Sequence, residues 1–194
     1  MPATSRKGAK RATAQRDGED DVIAILSEDH RRVDDMFDEY EATKDESDDD
    51  AKEERVAAIC LALTVHATVE EELFYPAARR AGIDADLLDE ADIEHASAKE
   101  LIAQIEVGEP GDDHYDAKVK VLGEYITHHV VEEHTEMFPK CRRSAMDLVS
   151  LRGEMEARKM SLLAEDGDVA PGSQAADDAK GKSTGILASL FSKA

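Results

Sequence analysis

The stretch HATVEEELFYP at residues 66–76 decides the fold, and HVVEEHTEMFP at residues 129–139 repeats its pattern. Each stretch places a histidine four residues before a glutamate, and the two pairs are His66 with Glu70 and His129 with Glu133. In an α-helix, side chains four residues apart project from the same face, one turn apart. The sequence therefore predicts that each pair points toward one centre inside a helical protein.

Residues spaced three and four apart extend this pattern along the chain and form four heptad-like faces. The first is Ile23, Leu26, His30, Val33, Phe37 and Tyr40, and the second is Val56, Ile59, Leu63, His66, Glu70, Leu73 and Ala77. The third is Leu88, Ala91, His95, Ala98, Ile102 and Ile105, and the fourth is Val119, Leu122, Ile126, His129, Glu133 and Glu136. Such spacing predicts amphipathic helices, and short polar connections favour an all-α, antiparallel up-down four-helix bundle.

Prolines, glycines and changes in composition predict the boundaries. Pro76 should kink or end the second helix, with Gly82 as its C-terminal cap, and Pro139 should kink the fourth. Apolar residues beyond Pro139 suggest that the last helix is extended, or restarts, to about residue 163. We expect a disordered basic tail at 1–19, the bundle at 20–164 and a flexible C-terminal tail at 165–194.

Charge and cysteine content exclude several functional classes. A formal net charge of -21 should repel nucleic acid and anionic membranes, so neither is expected as a partner. Cys60 and Cys141 are far apart and form no zinc-thiolate motif, so we expect both to be reduced thiols. The first residues carry no apolar leader, and no run approaches the roughly 18 apolar residues of a membrane span. We therefore expect a cytoplasmic protein, and the acidic surface favours a monomer.

Six polar side chains interrupt the apolar faces and point to a metal centre. They are His30, His66, Glu70, His95, His129 and Glu133. Burying even one unpaired carboxylate costs several kcal/mol, while a small domain is stable by only about 5–15 kcal/mol, so a cation must compensate. No Lys or Arg occupies the central positions of these faces. Imidazole and carboxylate ligands without thiolate suit iron, zinc, copper or manganese.

The order of these residues repeats, which favours two metal ions over one. A single histidine is followed by a histidine–glutamate pair, and the same order then recurs in the second half of the chain. Two helical hairpins related by a pseudo-two-fold axis would bring both sets together. Two histidines per metal, two bridging glutamates and one oxo or hydroxo bridge would leave an open position on each metal. We therefore predict two iron ions as the cofactor.

The combination of these motifs resembles the hemerythrin-like, or HHE cation-binding, family across roughly residues 22–163. The matching segments are Asp29-His30, His66–Glu71, Glu94-His95 and His129–Glu133, with Tyr75-Pro76 and Phe138-Pro139 after the two histidine–glutamate pairs. The resemblance implies an oxo-bridged di-iron centre that reacts reversibly with dioxygen or related molecules. The four histidines would be terminal ligands, and Glu70 and Glu133 would be bridging carboxylates.

Two departures from the oxygen-carrying hemerythrins bear on function. Lys99 stands where those proteins have a further histidine, and Glu133 stands where they have a bridging aspartate with longer spacing. Glu94, Glu71 or a water could take the vacated ligand position. The leading hypothesis is a di-iron protein that binds or senses dioxygen, nitric oxide or peroxide.

The sequence is also compatible with two other functional classes. One is a di-iron enzyme that breaks down hydrogen peroxide, or an iron-storage or repair protein, so the sequence leaves enzymatic activity undecided. The other is a helical interaction module in which the six polar residues are incidental.

The remaining histidines are not expected to bind metal. His114 lies in a loop or at a helix start, while His128 and His134 flank His129 outside the inward face. Glu71 is the first choice for a spare ligand or for a hydrogen-bond partner of a histidine N–H.

Overall fold

The computed structural model describes residues 20–167, so the predicted tail at 1–19 and most of that at 165–194 lie outside the described residues. The described helices are α1 (Val22–Thr43), α2 (Asp49–Val69), α3 (Tyr75–Arg80), α4 (Ala85–Glu106), α5 (Tyr115–Glu132), α6 (Phe138–Arg143) and α7 (Leu148–Gly167). Two π-helical turns, π1 (Glu70–Phe74) and π2 (Glu133–Met137), join α2 to α3 and α5 to α6.

Short polar side chains and a glycine determine where the helices begin and end. The carboxylate of Asp21 accepts a hydrogen bond from the Ala24 N–H, and Asp48 caps α2 by accepting from the Ala51 N–H. Gly82 has a φ of 76° directly after the α3 cap, a left-handed conformation that glycine adopts without steric cost. The predicted C-terminal cap at Gly82 is confirmed.

The four helices that carry the predicted heptad faces, α1, α2, α4 and α5, pack as the predicted up-down bundle. Helices α1 and α2 are neighbours, as are α4 and α5, and contacts of α1 with α5 and of α2 with α4 close the four-sided arrangement. Short connections make consecutive helices antiparallel. Among the described residues, every helix is too short or too polar to span a lipid bilayer.

The two π-helical turns correct the predicted inward faces. Each inserts one residue into the helical repeat, which rotates the following face by about 100°. Leu73 and Ala77 were expected inside but are only half-buried, and Phe74 is buried instead. Glu136 was likewise expected inside but is exposed, while its neighbour Met137 is buried. The chain thus continues as helix through both prolines, which lie in the first turns of α3 and α6.

Helix α7 is a separate element rather than an extension of the fourth helix. Helix α6 ends at Arg143, and the chain restarts as a helix at Leu148, as one of the two predicted alternatives had it. Helix α7 packs on α1 and α2 through buried side chains, namely Leu151, Met155 and Leu162.

The buried apolar side chains form two clusters with a polar layer between them. One cluster includes Leu26, Val69 and Phe74, and the buried side chains of α7 pack into it. The other includes Val33 and Leu63. On α1, His30 lies between Leu26 of the first cluster and Val33 of the second, so it occupies the polar layer. The bundle therefore holds its polar side chains at mid-height, away from both ends.

Candidate metal centre

The structure brings all six predicted site residues together in the polar layer. Each is buried, with an exposed fraction between 0% and 7%. The Nε2 atoms of His30 and His66 lie 2.9 Å apart, and those of His95 and His129 lie 3.1 Å apart. Each close pair comes from one helical hairpin, as the sequence repeat predicts.

The two glutamates lie between the histidine pairs. Glu70 Oε2 is 3.1 Å from the Nε2 of His66 and 3.5 Å from that of His95. Glu133 Oε2 is 3.3 Å from the Nε2 of His30 and 3.7 Å from that of His129. Each carboxylate therefore touches one imidazole of either pair, which is the arrangement that a bridging ligand requires.

The π-helical turns begin at these two glutamates and explain how the backbone presents them. The N–H of Tyr75 bonds to the carbonyl of Glu70, and the N–H of Phe138 bonds to that of Glu133. These bonds span five residues, one more than in an α-helix, and such bulges are frequent at functional sites. Each bulge also turns a following aromatic residue inward beneath the polar layer.

The carboxylate oxygens lack the partners that burial normally demands. Both oxygens of Glu70 and Oε2 of Glu133 are buried, and in the described part of the chain no group makes a hydrogen bond to them. The nearest imidazole nitrogens lie 3.1 Å from Glu70 Oε2 and 3.3 Å from Glu133 Oε2, close enough for charge pairing but without a hydrogen bond of acceptable geometry. Unpaired buried carboxylates of this kind are tolerated when cations neutralise them.

The charges and the burial of the cluster favour positive charge at this site. Burial opposes ionisation of Glu70, yet the charge on His66 lowers the pKa of Glu70 to about 2. Burial also opposes charge on His66, but the Glu70 carboxylate raises the pKa of His66 to about 10. Burial and the charge of Glu70 raise the pKa of Glu133 to about 8. Without metal, protons must therefore supply the positive charge, and a metal cation would displace them.

Three histidines direct their outer nitrogen to a carboxylate on another helix. The Nδ1 of His95 lies 3.0 Å from Glu71, and that of His129 lies 2.8 Å from Glu94. The Nδ1 of His66 lies 3.4 Å from Asp29. An Nδ1–H that donates to a carboxylate leaves Nε2 free as a ligand and orients the ring. Sequence reasoning named Glu71 for this role but missed Asp29, although it directly precedes His30.

Two lysines complete these contacts from outside. Lys159 on α7 lies 2.6 Å from both oxygens of Asp29, and Lys99 on α4 lies 2.6 Å from Glu71. Lys99, which stands at the departure from the oxygen carriers, is therefore an ion-pair partner of Glu71. Glu71 and Glu94 were two candidates for the ligand position that a histidine fills in the oxygen carriers. In this structure each of them contacts the Nδ1 atom of a histidine instead.

The fourth histidine has a different partner. The Nδ1 of His30 lies 3.0 Å from the Nε2 of His134. The sequence predicts no metal-binding role for His134, and the structure places it outside the cluster, in contact with the outer nitrogen of His30. Its spacing along the chain does not reveal the contact, because His134 belongs to π2 and His30 to α1. His128 is exposed and His114 occupies the N-cap position of α5, and neither belongs to the buried groups of histidine and glutamate side chains.

Tyr75 is a further residue of the centre that sequence reasoning missed. Its phenol oxygen lies 3.2 Å and 3.4 Å from the Nε2 atoms of His95 and His129, and it donates to Glu133 Oε1 at 3.2 Å. Burial and the charge of Glu133 hold the pKa of Tyr75 well above its ordinary value, so the phenol keeps its proton without metal. The only sequence signal was its position before Pro76 in the repeated motif.

A small cavity lies beside the four imidazoles. Its volume is about 30 Å³, and since about 10–15 Å³ suffices for one water, it can hold a water or a diatomic molecule. Besides the histidines its wall consists of Val33, Leu63, Thr64, Ala67, Ala98, Lys99, Ile102, Ile126 and Val130. Small ligands thus have a largely apolar space next to the cluster.

The chain matches one described protein family. Residues 21–141 fit the family model of the hemerythrin HHE cation binding domain. This range contains all six residues of the cluster and ends before α7 begins.

Two similar proteins add to this match. The chain is 29% identical over 121 residues to a DNA nickase from Nostoc sp., a match that covers 62% of this chain and 33% of that protein. The chain therefore spans about a third of the length of this curated relative. A hemerythrin HHE cation binding domain-containing protein from Mycobacterium kansasii has a crystal structure that aligns with a TM-score of 0.62 at 19% identity. That alignment covers 77% of this chain and 89% of the other, and it shows a shared fold.

Proposed function

Because the chain belongs to the hemerythrin HHE cation-binding family, we propose that it is a non-haem di-iron protein that binds or senses dioxygen, nitric oxide or peroxide. The observation that carries the proposal is the pair of buried glutamates between two histidine pairs, with carboxylate oxygens that have no hydrogen-bond partner. Cations held by these residues would neutralise both buried carboxylates.

The geometry supports a specific assignment of ligands. His30 and His66 would hold one ion, and His95 and His129 the other. Glu70 and Glu133 would bridge both ions, since each carboxylate touches one histidine of either pair. When bound, two irons would supply electrons and open coordination positions for a small ligand.

Nitrogen and oxygen donors favour iron in this setting. Cys60 and Cys141, the two cysteines, are free thiols packed in the two apolar clusters and so supply no ligand to the centre. A mixed imidazole and carboxylate set with open positions is typical of di-iron carboxylate bundles.

The apolar cavity supports a small-molecule ligand. It adjoins the four imidazoles and has room for a diatomic molecule but not for an organic substrate. Exclusion of bulk water from such a space strengthens electrostatic interactions with whatever binds there.

Tyr75 favours a second candidate function, the breakdown of hydrogen peroxide. Its protonated phenol points at His95, His129 and Glu133, so the centre contains a proton donor that a simple carrier does not need. Consumption of hydrogen peroxide by the iron-loaded protein, faster than by free iron at equal concentration, would favour this alternative.

DNA nicking is not proposed for this chain. The match to the DNA nickase covers 33% of that protein, and a formal net charge of -21 opposes contact with phosphates.

Metal analysis of anaerobically purified protein tests the proposal. We expect about two irons per chain and an oxo-to-iron charge-transfer band in the near ultraviolet after exposure to oxygen. Replacing His66 and Glu70 by Leu should abolish the band and the bound iron. His128→Ala is the matched control, because His128 is 66% exposed, and it should keep both. Wild-type protein that carries no metal, or one zinc, would contradict the proposal.

A further inference from the structure

Thr64 carries a hydroxyl group that has no function in the fold. The residue lies on α2, two positions before His66, and is buried, with 7% of its surface exposed. Its Oγ1 makes no hydrogen bond with any group in the described part of the chain. A buried hydroxyl without a partner costs free energy, so its persistence calls for an explanation.

Other helical threonines in this protein satisfy their hydroxyls locally. Thr68, one turn after Thr64, donates to the Thr64 carbonyl at 2.7 Å. Thr127 and Thr135 donate in the same way to carbonyls four residues earlier, at 2.9 Å and 2.7 Å. This local bond is the usual solution for threonine in a helix. Thr64 forgoes it, and its hydroxyl is left free to donate elsewhere.

Thr64, which carries this unpartnered hydroxyl, is one of the residues that line the cavity beside the four imidazoles. Most of the remaining wall is aliphatic, and Lys99 is its other side chain with an N–H or O–H donor outside the histidines. The Lys99 ammonium is engaged by Glu71 at 2.6 Å. Thr64 therefore supplies a neutral donor that has no partner in the described part of the chain, whereas the charge of Lys99 is already paired with Glu71.

We propose that the Thr64 hydroxyl donates a hydrogen bond to the small ligand that the cavity holds, which makes Thr64 a specificity-determining residue. This inference rests on the proposed function, since the ligand would be held at the metal centre. A hydrogen-bond donor in an apolar wall favours small anions, or diatomic molecules that gain negative charge when they bind. The same donor does not increase the affinity for a neutral, apolar ligand of the same size.

The test uses azide as the probe and the full-length, iron-loaded chain. Thr64→Val removes the hydroxyl while keeping the shape of the side chain, and Thr64→Ser keeps the hydroxyl. Thr68→Val is the matched control, because it makes the same chemical change one turn away at a hydroxyl that already has a partner. Azide affinity is measured by optical titration, and the azide stretching frequency by infrared spectroscopy.

We expect Thr64→Val to weaken azide binding about tenfold, the loss that corresponds to one hydrogen bond of about 1.4 kcal/mol. The azide frequency should shift in this variant and stay near the wild-type value in Thr64→Ser and Thr68→Val. A second readout needs no metal: chelator-treated Thr64→Val should melt at a higher temperature than the wild type, because an unpaired buried hydroxyl is gone. A residue with a merely structural role would not combine a gain in stability with a loss of affinity.

Two kinds of failure are distinguishable. If the wild type binds iron and azide, but Thr64→Val has the same affinity and the same azide frequency, the role of Thr64 is refuted and the proposed function stands. If the wild type binds no iron, or binds iron but neither azide nor nitric oxide, the proposed function itself fails. Should Thr64→Val not fold, Thr64→Ala removes the same hydroxyl and is judged by the same infrared criterion.

Discussion

Replacing Glu133 by Gln should have opposite effects on the stability of the metal-free protein and on its capacity for iron. Gln has the shape of a protonated Glu but cannot ionise, so it resembles the form that the metal-free fold prefers. Burial and the charge of Glu70 raise the pKa of Glu133 from 4.5 to about 8 in the folded protein. Between these two pH values, Glu133 is therefore mostly protonated in the folded protein and mostly ionised in the unfolded chain.

The sign of the pH dependence follows from that difference. A group whose pKa is higher in the folded state contributes its full stability below its unfolded pKa and loses it as the pH rises through the folded pKa. Between pH 4.5 and about 8, the wild type should thus lose stability at up to about 1.4 kcal/mol per pH unit through Glu133.

We expect chelator-treated Glu133→Gln to be about 2–4 kcal/mol more stable than the wild type at pH 8, because the amide still has to be desolvated. Near pH 5 the two proteins should differ by less than about 1 kcal/mol. Urea unfolding followed by circular dichroism measures both values. In parallel, the variant should lose iron, because one of the two carboxylates proposed to bridge the ions is gone.

Glu136→Gln is the control for this prediction. Glu136 belongs to the same motif, but its side chain is 59% exposed, so the same chemical change should leave stability and iron content unaltered. A Glu133→Gln variant that is less stable than the wild type at pH 8, or that binds the full amount of iron, would refute the reasoning.

Three further changes test the surroundings of the centre. Lys159→Met removes the ion pair that holds Asp29 against His66, and iron affinity in a chelator competition should fall severalfold, because supporting contacts of ligand histidines typically matter about 10–100-fold. Tyr75→Phe should alter the optical bands of the iron-loaded protein and slow any peroxide consumption, while unchanged spectra would exclude contact between the phenol and the centre. Met155→Ala should lower the free energy of unfolding by about 2–5 kcal/mol in urea titrations, since Met155 is fully buried between α7 and the bundle.

Local spacing along the chain was enough to predict that the six histidine and glutamate side chains of the cluster lie together. His66 and Glu70 are one helical turn apart, so their shared direction follows from helix geometry alone. His30 and His95 were placed by the same heptad pattern on the other two helices, and both are buried in the polar layer. That these residues bind two irons stays a prediction until metal analysis is done.

The pattern failed where the helical repeat itself changes. Beyond Glu70 and Glu133, a constant repeat predicts Leu73, Ala77 and Glu136 inside, whereas the π-helical turns rotate those positions outward. The spacing of apolar residues does not reveal the extra residue in each π-helical turn. Only the three-dimensional structure therefore shows that the predicted inward positions beyond Glu70 and Glu133 are wrong. The same rotation carries Tyr75 into the centre.

The amino-acid sequence by itself determined that the chain forms an amphipathic helical bundle with six inward histidines and glutamates, because helix periodicity is a local property. Only the tertiary structure decided which groups stand behind those residues. The contacts of Asp29 with Lys159 and of His30 with His134 join elements more than 100 residues apart. Such contacts depend on how whole helices are placed against one another, and no periodicity within a single helix encodes that placement.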